Sequence, residues 1–126
     1  MSVPSWEFWI DVGGTFTDCL ATRPDGTLHR HKLLSSGITK GTIGAGSTEQ
    51  TIVDPARIGD PENFWNGFHC TLLDDAGVSS GESAVSGFEA STGELKLSPP
   101  GDVRVDARYE LRCELEAPVL AIRYLM

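Results

Sequence analysis

The sequence predicts a mainly β protein, and three observations support that prediction. Turn signals built from glycine, proline and aspartate recur about every ten residues along the chain. Residues 94–98 alternate polar and apolar side chains with the period of a strand. Before residue 117 no helix-like run exceeds about two turns. Short strands joined by tight turns are typical of antiparallel sheets, small barrels and sandwiches.

The first part of the chain predicts a three-stranded antiparallel meander. An apolar run that ends at Asp11 forms the first strand, and the mixture of hydroxyl and apolar side chains after Gly14 favours a second. Residues 23–26 (Arg-Pro-Asp-Gly) are a turn signal, because proline presets φ and glycine accepts a positive φ. Residues 27–34 then form the third strand.

A second β-rich block follows residue 36. Residues 37–47 are rich in glycine, threonine and serine and predict a linker or a loose first strand. Further strands are predicted at residues 51–53, 64–73, 81–88, 94–98 and 107–115. Ala117 and Pro118 then fit the start of a helix, since proline is favoured at the first helical position.

Composition limits the classes of function. The chain has 126 residues, a net charge of −8 and a pI near 4.7, which argue against binding to nucleic acid or to an anionic membrane. No apolar run approaches the ~20 residues that span a bilayer, and the amino terminus lacks the basic region of a secretory signal. The three cysteines, Cys19, Cys70 and Cys113, are far apart and predict reduced core thiols of a cytoplasmic protein.

The turn between the first two predicted strands contains the residues that suggest a ligand-binding site. Paired glycines let backbone N–H groups approach an anion, and neighbouring carboxylates suit the divalent cation that accompanies nucleotide phosphates. Neither the Gly-Lys-Ser/Thr of a Walker loop nor a Gly-x-Gly-x-x-Gly fingerprint is present. An ordinary hairpin turn is the alternative. The candidate residues for a phosphate-and-magnesium loop are Asp11, Gly13, Gly14, Thr15, Thr17 and Asp18.

Two features of the third predicted strand are further candidates for ligand binding. Lys32, on the third predicted strand, is either a phosphate contact or a solvated lysine. His29 and His31 share one face of that strand, but without a third ligand they are interpreted as exposed strand residues.

Residues 8–19, 23–27 and 31–35 together resemble the amino-terminal start of the hydantoinase A/5-oxoprolinase family. The resemblance is specific over residues 6–36, and a weaker second patch covers residues 117–125. More distantly, the loop is similar to the first phosphate motif of the superfamily of actin, sugar kinases and heat-shock chaperone ATPases. The resemblance implies an α/β, ribonuclease H-like ATPase lobe. Residues 1–36 begin that lobe, residues 37–116 are an inserted small β-barrel or sandwich, and residues 117–126 start a returning helix.

The resemblance also implies ATP-dependent hydrolysis of a cyclic amide such as 5-oxoproline or a hydantoin, with ATP and magnesium as cofactors. In that scheme Asp11 positions the metal or its bound water, and Asp18 orients the loop or the metal. Backbone N–H groups of Gly13, Gly14 and Thr15 contact the terminal phosphate, and Thr17 adds a hydroxyl.

Because the family completes its nucleotide cleft with residues far downstream, the 126 residues are expected to be an inactive fragment of a longer protein. The implied partners are the remainder of the same polypeptide, a second hydantoinase-type subunit and the cyclic-amide substrate, with no nucleic acid and no membrane. Two alternatives remain open, a sugar or acyl kinase of the same superfamily and a non-catalytic β interaction module.

Overall fold

The computed structural model describes residues 5–126 and is mainly β, as the sequence predicts. The chain divides into two compact units. The first comprises the residues up to Gly37 together with Glu114–Met126, and the second comprises Ile38–Cys113. Within residues 5–126 there is no helix with the length and hydrophobicity that crossing a lipid bilayer demands.

The first unit contains the predicted meander. Strands β1 (Glu7–Val12), β2 (Phe16–Thr22) and β3 (Leu28–Leu34) form an antiparallel sheet in the order β1-β2-β3. The helix α1 (Ala117–Leu125) follows later in the chain and has a proline in its first turn, which confirms the predicted helix start.

One face of this sheet packs against α1, and we call it the covered face. Cys19 and Ala21 on β2 are fully buried against Ala121 and Leu125 of the helix. Because side chains alternate along a strand, Thr17 lies on the same face and is also fully buried.

The covered face also corrects the prediction for the two histidines. His31 stacks on Tyr124 of α1 with the ring centroids 3.8 Å apart, and His29 is half-buried. They are therefore not exposed strand residues. Tyr124 belongs to α1, which lies far from His31 in the sequence, so strand alternation alone does not reveal this contact.

The opposite face of the sheet, the open face, carries large exposed side chains. Trp9 is 69% exposed and Phe16 is 46% exposed. The strand register places charged side chains beside these aromatic rings. The open face includes Glu7, Trp9, Asp11, Phe16, Asp18, Leu20, Arg30 and Lys32.

The second unit is a six-stranded antiparallel sheet with the order β4-β9-β6-β7-β8-β5. Its strands are β4 (Thr39–Thr42), β5 (Thr51–Val53), β6 (His69–Leu73), β7 (Ser79–Glu89), β8 (Glu94–Ser98) and β9 (Arg108–Arg112). The described strands form one sheet rather than the two of a sandwich, and no strand pairing between β4 and β5 closes it into a barrel.

One sequence prediction for this unit is confirmed and another needs correction. The segment 37–47, predicted to be a linker or a loose first strand, contains strand β4, which pairs with β9. In the segment 64–73 only β6 is a strand, because the aromatic residues before it lie in turns around Asn63 and Gly67, both of which have positive φ. The Trp65 indole donates to the buried Asp60 carboxylate at 2.9 Å, which fixes this turn in the core.

Candidate functional site

The candidate loop is the tip of the β1–β2 hairpin. Val12 pairs with Thr17, and the Gly13 N–H donates to the Phe16 carbonyl at 2.9 Å. This hydrogen bond closes the hairpin one step beyond the strands. Gly14 and Thr15 are therefore left as the two residues of the tip.

Ser35, the residue after β3, ties this tip to the sheet. Its N–H donates to the Thr15 carbonyl at 2.9 Å, and its hydroxyl donates to the Gly13 carbonyl at 2.7 Å. The Ser35 Oγ also lies 2.9 Å from the Thr17 Oγ1. Because the single Ser35 hydroxyl proton goes to Gly13, the Thr17 hydroxyl is the donor in that contact. A short chain of hydrogen bonds thus runs from Thr17 through Ser35 to the loop.

This chain of hydrogen bonds sets the direction of the Gly14 N–H. In a trans peptide the C=O and the following N–H point in opposite directions, and the one cis bond in residues 5–126 is Ser98–Pro99. The Gly13 carbonyl points to Ser35 Oγ on the side of the buried Thr17, which is the covered face. The Gly14 N–H is therefore directed toward the open face. Within the described chain, neither the Gly14 N–H nor the Thr15 N–H donates a hydrogen bond.

The glycine doublet fits this arrangement for a steric reason. A Cβ at position 13 would lie 3.0 Å from the Phe16 carbonyl oxygen, a contact that would strain the hairpin closure. A Cβ at position 14 would meet no atom within 4 Å. A side chain at position 13 would therefore crowd the Phe16 carbonyl, whereas Gly14 leaves the tip uncovered by a side chain.

Two carboxylates face each other across the sheet beside this tip. Asp11 on β1 is directly opposite Asp18 on β2, and Lys32 on β3 is opposite Asp18. Like charges placed directly opposite destabilise an antiparallel pair. Within residues 5–126 neither aspartate has a salt bridge, and no group of three or more metal-ligating side chains is present. Any cation held here would take two carboxylates from the protein and its remaining ligands from elsewhere.

Cys19, the cysteine nearest the loop in sequence, is a core residue. Cys19 is fully buried in the covered face, and burial raises the pKa of its thiol above the ordinary value. A protonated, enclosed thiol is a core residue and a poor nucleophile. All three cysteines are free, as the sequence predicts.

The structure brings the predicted residues together at one end of the meander, but with different availability. Gly14 and Thr15 present N–H groups, and Asp11 and Asp18 present carboxylates. The Gly13 N–H and the Thr17 hydroxyl, expected to reach a phosphate, are engaged in internal hydrogen bonds. Sequence reasoning missed Ser35. Its signal was a hydroxyl residue directly after the third strand, where the meander returns to the hairpin tip.

Comparison with protein families gives the family to which the chain belongs. The family model of the hydantoinase/oxoprolinase N-terminal region matches residues 7–69, which is 63 of the 126 residues. The chain belongs to this family, whose members are hydrolases, and the predicted resemblance is confirmed. Searches of curated proteins and of solved structures each gave no significant match. The matched range begins at β1 and contains both the hairpin tip and Ser35.

A double-mutant cycle tests the link between Thr17 and Ser35. Ser35→Ala leaves the buried Thr17 hydroxyl without a partner and should lower the free energy of unfolding by about 1–3 kcal/mol. Thr17→Val removes one hydrogen bond while nearly keeping the side-chain shape. The double variant should be less destabilised than the sum of the two single variants, because neither partner is then left unsatisfied. Urea unfolding measures all four proteins, and additive effects would contradict the hydrogen-bond chain.

Proposed function

We propose that this chain is the amino-terminal region of an ATP-dependent hydrolase of cyclic amides, and that its β1–β2 tip is the first phosphate-binding loop of a ribonuclease H-like ATPase lobe. The observation that carries the proposal is the direction of the Gly14 N–H. It faces the same side of the sheet as the carboxylates of Asp11 and Asp18. Membership of the hydantoinase/oxoprolinase family supports the reaction class.

The tip fits a phosphate group through its main chain. The free N–H groups of Gly14 and Thr15 are the proposed donors to the terminal phosphate of ATP, and no side chain at position 14 obstructs them. Gly13 closes the hairpin and Thr17 acts through Ser35, so we assign these two residues to positioning the loop. A few main-chain donors each contribute only about 1 kcal/mol over water. The loop alone therefore binds weakly.

The facing carboxylates fit magnesium. Mg²⁺ is commonly held by one or two carboxylates together with water and phosphate oxygens, which is the ligand set that Asp11 and Asp18 could begin. We propose Asp11 as the residue that positions the metal or its water and Asp18 as its neighbour in orienting the metal and the loop. Bound ATP supplies a phosphoryl group, which converts the amide oxygen of the substrate into a leaving group. The chain's own residues contribute charge neutralisation and alignment.

The remaining parts of the proposal concern the context of the loop. We propose that residues 37–116 are a β module inserted into the ATPase lobe of a cytoplasmic protein. The remainder of the same polypeptide completes the nucleotide site, and a second hydantoinase-type subunit is a candidate partner. Cyclic amides such as 5-oxoproline or a hydantoin are the proposed substrates.

Two observations favour a second function, a non-catalytic β interaction module. The Gly13–Phe16 hydrogen bond closes the hairpin, as it would in a purely structural turn, and the open face exposes Trp9. The two functions differ in one respect that can be tested. A structural turn has no reason to keep two carboxylates opposed at a cost in stability, whereas a magnesium site does.

Charge removal at the paired carboxylates tests the magnesium assignment. Asp11→Asn and Asp18→Asn should each raise the melting temperature by about 1–4 °C in metal-free buffer, because each relieves the repulsion across the strands. MgCl₂ should stabilise the original chain and neither variant. Glu7→Gln is the matched control, since Glu7 is an acid on the same strand and face that is paired with the uncharged Thr22. Equal behaviour of Glu7→Gln and Asp11→Asn in thermal unfolding would refute the assignment.

An activity assay tests the reaction class. The protein expressed from the full reading frame should release phosphate from ATP in the presence of 5-oxoproline or a hydantoin. Proline, which has the ring but no lactam carbonyl, is the control. The 126 residues alone should show no such release, because the proposed loop is only one part of a nucleotide site and its few main-chain donors bind phosphate weakly. ADP formation stimulated by a sugar or by acetate, with the phosphoryl group retained on that compound and no free phosphate released, would instead indicate a kinase. No stimulation by any of these compounds would favour the interaction module.

A further inference from the structure

We infer that Lys32 is a binding residue for the terminal phosphate of the nucleotide, and that Phe16 holds its ammonium group near the hairpin tip. This inference rests on the proposed function and adds to it the cationic group that the loop otherwise lacks. Its basis is the conformation of the Lys32 side chain on the open face.

The Lys32 ammonium does not pair with the acid beside it. Lys32 is directly opposite Asp18 in the strand register, which is a favourable position for a cross-strand ion pair. Yet within residues 5–126 no carboxylate lies within 4.0 Å of its Nζ. The Nζ instead lies 4.6 Å from the centroid of the Phe16 ring. Phe16 is two residues closer to the hairpin tip than Asp18, so the side chain extends along the sheet toward the loop.

Phe16 connects this lysine directly to the loop. It follows Thr15 in sequence, and its carbonyl accepts the hydrogen bond from Gly13 that closes the hairpin. A cation over the face of an aromatic ring is attracted by the ring's quadrupole and keeps most of its charge accessible to other ligands. The ring therefore restrains the ammonium group beside the tip without neutralising it.

The three kinds of group on this face suit a magnesium-bound triphosphate. The Gly14 N–H and the Lys32 ammonium are donors for phosphate oxygens, and the aspartates are ligands for the cation. A lysine and main-chain N–H groups beside a magnesium ligand are the usual parts of phosphoryl-transfer sites. Because Lys32 would contact the terminal phosphate, its contribution should depend on the number of phosphates in the ligand.

The test is a titration of the ¹⁵N-labelled 126-residue chain with Mg²⁺-ATP, followed by NMR at the Gly14 and Thr15 amides. Binding is expected with a Kd of about 1 mM or weaker, because only a few donors are available. Lys32→Met keeps an unbranched side chain that can pack on Phe16 but removes the charge. It should weaken Mg²⁺-ATP binding about fivefold and leave AMP binding unchanged.

Arg30→Met is the matched control. Arg30 lies on the same strand and face, two residues farther from the tip and opposite Leu20, and either substitution changes the net charge from −8 to −9. Its affinity for Mg²⁺-ATP should fall by less than about twofold. Lys32→Arg should retain most of the affinity, and Phe16→Leu should give a loss between those of Arg30→Met and Lys32→Met.

The outcomes separate the two proposals. If the Gly14 and Thr15 amides of the original chain do not respond to Mg²⁺-ATP, the phosphate loop itself is refuted and the lysine assignment falls with it. If they respond and Lys32→Met matches Arg30→Met, the loop stands and Lys32 is a solvated strand residue. Equal losses for ATP and AMP would also overturn the assignment. Lys32 is exposed, so the fold is expected to tolerate these substitutions, and the spread of amide signals in the same spectra checks this.

Discussion

The hydrogen bonds from Ser35 to the β1–β2 tip are the constraint on which the candidate site depends. The Ser35 hydroxyl donates to the Gly13 carbonyl and so holds that carbonyl on the covered side of the sheet. Because the peptide is planar and trans, the Gly14 N–H then points to the other side. The hydroxyl of the buried Thr17 donates a hydrogen bond to the Ser35 hydroxyl and so fixes its position. Without this arrangement the glycine doublet would be an ordinary hairpin turn with no preferred direction for its donors.

The same meander uses its two faces for different purposes. The covered face packs an apolar cluster around Cys19 and Ala21 against α1, which contributes to its stability. The open face keeps two opposed aspartates and an exposed tryptophan, features that reduce stability or solubility when they serve no function. Sites in which like charges face each other commonly gain stability when a cation binds. This contrast between the faces is the physical reason for placing the chemistry on the open side.

The sequence predicts much of the fold, because its signals there are local. The meander follows from strand composition and the Arg23–Gly26 turn, and α1 follows from Pro118. The sequence predictions that were wrong concern residues whose structure depends on contacts distant in the sequence. The burial of His31 requires Tyr124, and the turn around Trp65 requires Asp60 together with positive φ at Asn63. At the candidate site, Gly14 and Thr15 are predicted from the sequence and have N–H groups that donate no hydrogen bond among residues 5–126. The sequence did not reveal the direction of the Gly14 N–H, because this depends on the hydrogen bond from Ser35, 22 residues after Gly13, to the Gly13 carbonyl.

Amide hydrogen exchange at the hairpin tip tests the central claim most directly. In the chain without nucleotide, the Gly13 N–H is bonded to Phe16, while the N–H groups of Gly14 and Thr15 have no acceptor among residues 5–126. Gly13 should therefore exchange about tenfold or more slowly than its two neighbours. Addition of Mg²⁺-ATP should slow exchange at Gly14 and Thr15 and leave Gly13 nearly unchanged. Protection of Gly14 before any nucleotide is added would show that its N–H is not available, and would contradict the account.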